Sequence, residues 1–256
     1  MEKGPGEGEL CWIKGKRMEL NTKKPIYDSD GLRTVHFVPF LLDEKFEEAY
    51  RKAIFPLDPD KTDVRYRAYI IKWAASQVRH ISGNFVECGT YDAKAVTLIL
   101  NLEDLKGHRR KFLLFDTFSG IPSKGLTERE INLKFEGMYS DVTLEEVKEK
   151  LKDYLDVIEF HVGIIPDTFK NLKLEPVAFL HLDLNAAMPT KRALDFFYPA
   201  LQPGGVIIFD DYGWEGFEDQ REVIDSFFSD KIEQILVLPT GQGVVIRQHN
   251  HQFPNS

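Results

Sequence analysis

The residues best placed to do chemistry in this 256-residue chain are acids at the ends of short apolar runs. FVEC leads into Glu87-Cys-Gly-Thr-Tyr-Asp-Ala93, a loop with one glycine, Gly89, and two acids, Glu87 and Asp92. FLLFD ends on Asp116, VAFLHLD on Asp183, and GVIIFDD on Asp210 and Asp211. A dinucleotide loop wants G-x-G-x-x-G, so that backbone can approach a pyrophosphate. Here acids would repel phosphate, but they are tolerated beside S-adenosylmethionine, which has no phosphate and carries an ammonium and a sulfonium. Asp116 at the second strand end can accept both ribose hydroxyls, or it can cap the next segment. Thr90, Tyr91 and Thr117 join the same cofactor site. Gly163 opens GIIPDTF, which sits near the adenine or else is a plain turn with Asp167 as a helix N-cap.

Asp183, Asp210 and Asp211 come from neighbouring strand ends and should share one crevice. Three carboxylates suit Mg²⁺, which takes oxygen ligands in octahedral geometry. An alcohol hydroxyl is too weakly acidic to react unaided at neutral pH, so a base, a hard cation or both must help. Asp183 and His181 are the candidate bases; His181, two residues earlier, is on the same side of the strand. The competing readings are a satisfied core histidine, and one of Asp210 and Asp211 bound to loop backbone. Tyr212 and Trp214 follow the acids and can stack on an adenine or sugar ring, or pack the loop. Residues 119–141, with Gly120, Gly125 and Gly137 among charges, read as a lid.

The elements that must position these groups follow from hydrophobic period. Seven apolar runs, 85–88, 112–116, 157–162, 177–183, 205–211, 232–239 and 243–248, read as strands buried on both faces. Helices alternate with them, which predicts a doubly wound, mostly parallel seven-stranded α/β sheet. Thr143 with Glu146 forms a capping box. Pro189 starts a helix that Gln202-Pro-Gly-Gly ends. Thr240-Gly241-Gln242 is too short for a crossover, so the last two strands form an antiparallel hairpin. Phe46, Tyr50 and Ile54 mark a helix over 43–54, and a second spans 63–80. The expected organisation is a flexible arm at 1–35, a helical cap at 36–82 and a cofactor-binding core at 83–250.

Composition narrows the function. Net charge is −8, and no basic stripe marks a nucleic-acid or membrane-surface binder. Two cysteines make no disulfide framework, and the N-terminus has no signal-peptide h-region, so a cytoplasmic setting is expected. No apolar run reaches membrane-span length.

Seven segments in order resemble the macrocin O-methyltransferase (TylF-type) family, over about residues 65–248: GNFVECGTYDA, FDTFSGIP, GMYSDVTLEEVKEKL, GIIPDTF, FLHLD, YPALQPGGVIIFDDYGW and LPTGQGVVIR. The resemblance implies the class I methyltransferase fold, S-adenosylmethionine, often Mg²⁺, and a sugar-like hydroxyl acceptor. It assigns Asp183, Asp210 and Asp211 to the metal, and Asp183 also as base. A homodimer is compatible with it. The chain departs from the family's D-x-D-L-Y-x-S: Asn185 offers a neutral oxygen where a second acid is common, and Ala187 replaces the tyrosine. Ala93 stands where many members have glycine. The alternatives are a metal-independent methyltransferase using His181 or Asp183, a silent cofactor-binding module, and, more distantly, a NAD-dependent oxidoreductase.

Overall fold

The computed structural model describes residues 10–13, 16–19, 24–54 and 62–249. Two antiparallel pairs come first: β1 (Leu10–Ile13) with β2 (Lys16–Glu19), and β3 (Tyr27–Ser29) with β4 (Leu32–Thr34). The second pair turns on Asp30 and Gly31, both at positive φ, as a type I′ hairpin requires. Residues 24–34 were expected in a loose arm, but this hairpin is packed down. Tyr27 is buried edge-on against Phe40 and Tyr66. Apart from β1 and β2, residues 1–23 lie outside the described residues.

Helices α1 (Glu44–Ala53) and α2 (Arg65–Gln77) follow. Asp43 caps α1 by accepting the Phe46 N–H, and the i, i+4 apolar spacing turns Phe46, Tyr50 and Ala53 inward. The main sheet then alternates with helices: β5 (Asn84–Cys88), α3 (Lys94–Leu102), β6 (Phe112–Asp116), α4 (Glu128–Asn132), α5 (Leu144–Lys150) and β7 (Ile158–Val162). It continues through β8 (Val177–Leu182), α6 (Ala187–Phe197), β9 (Leu201–Phe209), α7 (Glu218–Phe228), β10 (Leu236–Val237) and β11 (Gly243–Ile246).

The seven strands are ordered β10-β11-β9-β8-β5-β6-β7, all parallel except β11, which runs antiparallel to both β9 and β10. The chain winds outward from β5 to β7, then returns to lay β8 on the other side of β5. That reversal leaves a crevice beyond the carboxyl ends of β5 and β8. Period-2 alternation divides the strand residues between two apolar layers. Phe85, Phe179, Val206 and Ile208 pack towards α1, α2 and α3. Val86, Cys88, Leu180, Leu182, Ile207 and Phe209 pack towards α6 and α7. The 36–82 segment thus supplies two helices to one covering layer of the sheet.

Two sequence expectations need correcting. Gln202-Pro-Gly-Gly does not end a helix: α6 stops at Phe197, a 3₁₀ turn covers Tyr198–Ala200, and residues 202–205 already lie in β9. The 232–239 run forms only the two-residue strand β10, with Leu236 and Val237 exposed on the sheet edge. No helix among the described residues is long and apolar enough to cross a membrane.

Candidate active site

A cavity of about 340 Å³ lies beyond the carboxyl ends of β5, β6, β7, β8 and β9. The residues expected to bind cofactor or metal or to act as base line it: Glu87, Gly89, Thr90, Tyr91, Asp116, Thr117, Gly163, His181, Asp183, Asp210 and Asp211.

Gly89 is required by its neighbour strand. It sits at φ +89°, and a Cβ there would lie 1.9 Å from the Asp183 carbonyl oxygen. The close approach of the two strand ends leaves no room for a side chain. The loop beyond is held by Asp116. One carboxylate oxygen accepts the N–H groups of Thr90 (2.8 Å) and Tyr91 (2.9 Å), and the other accepts that of Phe118 (2.6 Å). The capping reading of Asp116 is therefore realised, and lone-pair capacity for a ligand remains on it. Tyr91 and Ala93 adopt positive φ (45° and 58°), the second as the N-cap of α3. The Tyr91 hydroxyl donates to Asp141, and its ring meets Tyr139 edge-on at 5.1 Å. Thr117 turns back on its own loop by donating to the Gly120 carbonyl. Gly163, at φ +140°, donates its N–H to the Asp116 carbonyl.

His181 and Glu87 are opposite one another in the β5–β8 register. Both are almost fully buried, and Nδ1 lies 2.9 Å from Glu87 Oε1. Nε2 is 3.5 Å from Asp210 Oδ1, an ion-pair rather than hydrogen-bond contact. Burial opposes the imidazolium, but the carboxylates of Asp210 and Glu87 outweigh it and raise the pKa to about 10. The imidazole is thus engaged on both sides by carboxylates.

The three aspartates differ. Asp210 Oδ2 is 2.6 Å from Arg67 Nη1, and Oδ1 accepts from Gln242 (2.7 Å). Burial works against its charge, but Arg67 and His181 hold its carboxyl far below the usual range. Asp211 accepts the Asn185 amide and, weakly, Arg67 at 3.4 Å. Burial and Asp210 together raise its pKa to about 6. Asp183, half-buried in the cavity, receives no side-chain hydrogen bond among the described residues, and burial with Asp210 and Asp211 pushes its pKa well above the ordinary value. Ligand atoms of His181, Asp183 and Asp210 lie within 4.8 Å of one another.

Sequence reasoning missed Arg67 and Tyr139, which also line the cavity. Burial, then the charges of Asp183, Asp211 and Asp210, push the Tyr139 hydroxyl up to about 12. In sequence Arg67 reads as the solvated side of an amphipathic helix, and nothing in the chain order links it to residue 210. Tyr212 and Trp214, expected to stack on a ligand, do not line the cavity. The Tyr212 hydroxyl donates to Asp225 (2.5 Å); the Trp214 indole donates to the Thr240 carbonyl and lies 4.9 Å from the Arg67 guanidinium carbon. The 119–141 segment is not loose throughout. Thr127 and Glu130 form a capping box, and buried Glu130 also accepts the first N–H of α6, from Ala187 (2.7 Å). Phe135 packs on Phe217.

The family model for macrocin-O-methyltransferase (TylF) matches residues 67–239. The chain belongs to this family. Two curated Streptomyces proteins are each 28% identical to parts of this TylF-family chain. One is 8-demethyl-8-(2,3-dimethoxy-alpha-L-rhamnosyl)-tetracenomycin-C 4'-O-methyltransferase of Streptomyces olivaceus, over 54% of this chain and 56% of its own length. The other is demethyldecarbamoylnovobiocin O-methyltransferase of Streptomyces niveus, over 52% and 54%. The chain thus spans about half the length of the curated relatives it matches. Among solved structures, the O-methyltransferase NovP superposes with a TM-score of 0.64 at 22% identity, covering 72% of this chain and 80% of its own. CalS11, a calicheamicin methyltransferase, gives 0.60 at 15% identity, over 88% and 99%. These likenesses establish the methyltransferase fold.

Proposed function

We propose that this protein transfers a methyl group from S-adenosylmethionine to a hydroxyl of a sugar-like, natural-product acceptor. The observation that carries the reading is the convergence, in one cavity, of the Gly89–Ala93 loop, Asp116 and Gly163 with a carboxylate, Asp183, that receives no side-chain hydrogen bond among the described residues. The acceptor class is suggested by the tetracenomycin relative, whose name specifies a rhamnosyl substrate.

When bound, the cofactor supplies the methyl group and a sulfonium leaving group. The protein must align an acceptor oxygen and remove its proton. Asp116 and the amides it fixes shape the ribose end, and Gly163 borders the adenine. Asp183 takes the hydroxyl proton, because Asp210 and Asp211 are already engaged by Arg67, Gln242 and Asn185. Tyr139 overhangs the same acids and walls the acceptor side.

The donor set fits a divalent ion of the Mg²⁺ type. It is oxygen-rich, and the charges of Asp210 and Asp211 raise the pKa of Asp183, a repulsion that a bound cation would relieve. Asp183, with oxygens of Asp210 and Asp211, would hold the ion, which would supply Lewis acidity to a bound hydroxyl.

Calorimetry with S-adenosylhomocysteine tests the cofactor reading. Wild type binds, Asp116→Ala binds much more weakly, and NADH does not compete. Equal affinity in the variant, or tighter NADH binding, overturns it. With an acceptor in hand, EDTA lowers turnover and Mg²⁺ restores it; full activity in excess EDTA removes the ion from the mechanism.

A further inference from the structure

Arg67 is the one arginine among the described residues that lines the cavity, and its side chain is 15% exposed. One guanidinium nitrogen, Nη1, reaches Asp210 at 2.6 Å and Asp211 at 3.4 Å. The other, Nη2, reaches Asp30 of the β3–β4 turn and the Thr240 carbonyl, both at 3.5 Å. Trp214 flanks the guanidinium, itself fixed by its bond to Thr240. The arginine is thus held from four sides, by the hairpin, by the strand-end acids, by the β10–β11 turn and by an aromatic face. Nε, buried in this setting, has no hydrogen-bond partner among the described residues.

We propose that Arg67 is the positioning residue of the acid pair: its guanidinium fixes Asp210 and Asp211 and opposes any divalent ion bound with Asp183. The inference rests on the divalent-ion reading above, and says what sets the strength of that site. A resident cation within hydrogen-bond distance of two of the three expected ligands does two things. It neutralises part of the charge that would attract an ion, and it takes up a lone pair that would bind one. Asn185 acts in the same direction, since its amide donates to the second oxygen of Asp211. Of the three acids, Asp183 alone receives no side-chain donor among the described residues, so the site is built for loose holding of an ion.

Manganese binding to the full chain, measured by calorimetry and by the electron-spin resonance of the free ion, tests this with Mn²⁺ as the probe. Arg67→Gln is expected to bind Mn²⁺ at least about tenfold tighter than wild type, because a fixed positive charge close to the ion is gone. Arg67→Lys, which keeps the charge, should stay within about threefold of wild type. It also serves as the second variant if Arg67→Gln melts early. Affinity for S-adenosylhomocysteine should hold in both. Asp183→Asn should abolish Mn²⁺ binding in the wild-type and Arg67→Gln backgrounds, which locates the ion. If wild type binds Mn²⁺ through Asp183 but Arg67→Gln binds no tighter, this inference alone fails. If Arg67→Lys binds as tightly as Arg67→Gln, the charge argument fails. If neither wild type nor Arg67→Gln binds Mn²⁺, the divalent-ion reading fails and takes this inference with it.

Discussion

His181 near the end of β8 and Asp183 just beyond it are two residues apart, yet their surroundings favour the charged form of the first and the uncharged form of the second. Asp183 faces Asp210 and Asp211 without a donor, which favours its neutral form. A carboxylic acid cannot take a proton, so activity should rise with pH as Asp183 ionises. Adding a divalent ion should move that rising limb to lower pH. Asp183→Asn should lower kcat by about 100-fold or more and abolish the limb, while S-adenosylhomocysteine affinity is retained. Steady-state pH profiles with calorimetry check this, and an unchanged limb in the variant would assign the base elsewhere. His181 is the reverse case. Its folded-state pKa, about 10, is above the ordinary 6.5, so its stabilisation is complete below about pH 6.5 and is lost as pH rises through about 10. His181→Gln leaves Glu87 and Asp210 buried without it, at a cost of about 3–5 kcal/mol. Melting curves of both proteins should therefore differ most at pH 6 and converge as the pH approaches 10. A constant gap across that range would mean that packing rather than charge is what the substitution removes.

At the scale of elements, the β5–α3 connection explains a departure from the family pattern. Ala93 is the N-cap of α3 and has φ +58°, a left-handed conformation that costs an L-residue about 1–2 kcal/mol. Glycine pays no such Cβ penalty. Ala93→Gly should therefore raise stability by about 1 kcal/mol, less the glycine's greater entropy when unfolded. Denaturant midpoints check it, and a destabilised variant would show that the buried methyl group contributes more by packing. The loop keeps its shape through neighbours on several elements. Lys150 donates both to the Asp92 carbonyl and to Ala53 at the end of α1, which ties α5 to the cofactor loop and the first helix. Glu130 similarly joins the 119–141 segment to the start of α6.

Across the whole molecule, a cavity bordered by five strand ends and by α1 and α2 means that a ligand filling it braces distant elements together. A ligand that binds only the folded chain stabilises it by about 2.7 kcal/mol at a hundred times its Kd. For a chain of this size that is a rise of about 5–10 °C in Tm. S-adenosylhomocysteine should produce it in wild type, and much less in Asp116→Ala. Scanning fluorimetry reads both, and an equal shift in the two proteins would put the ligand outside the proposed site.

Much of this protein was legible in its sequence because the signals are local and periodic. Continuous apolar runs marked the buried strands, the Thr143–Glu146 box marked a helix start, and acids at strand ends marked the crevice of a doubly wound sheet. The Asp30-Gly31 turn was also readable by its residue types, although the segment around it was expected to be loose. What the sequence could not determine are properties of pairs far apart in the chain. The bond between Arg67 and Asp210 joins residues 143 positions apart, and no local pattern separates that arginine from a solvated one. The partner of His181 depends on which strand lies beside it, and the β5–β8 register places Glu87 opposite. Asp183, Asp210 and Asp211 look equivalent in sequence. Only tertiary structure ranks them, because hydrogen bonds from Arg67, Gln242 and Asn185 reach two of the three and leave Asp183 to face the cavity.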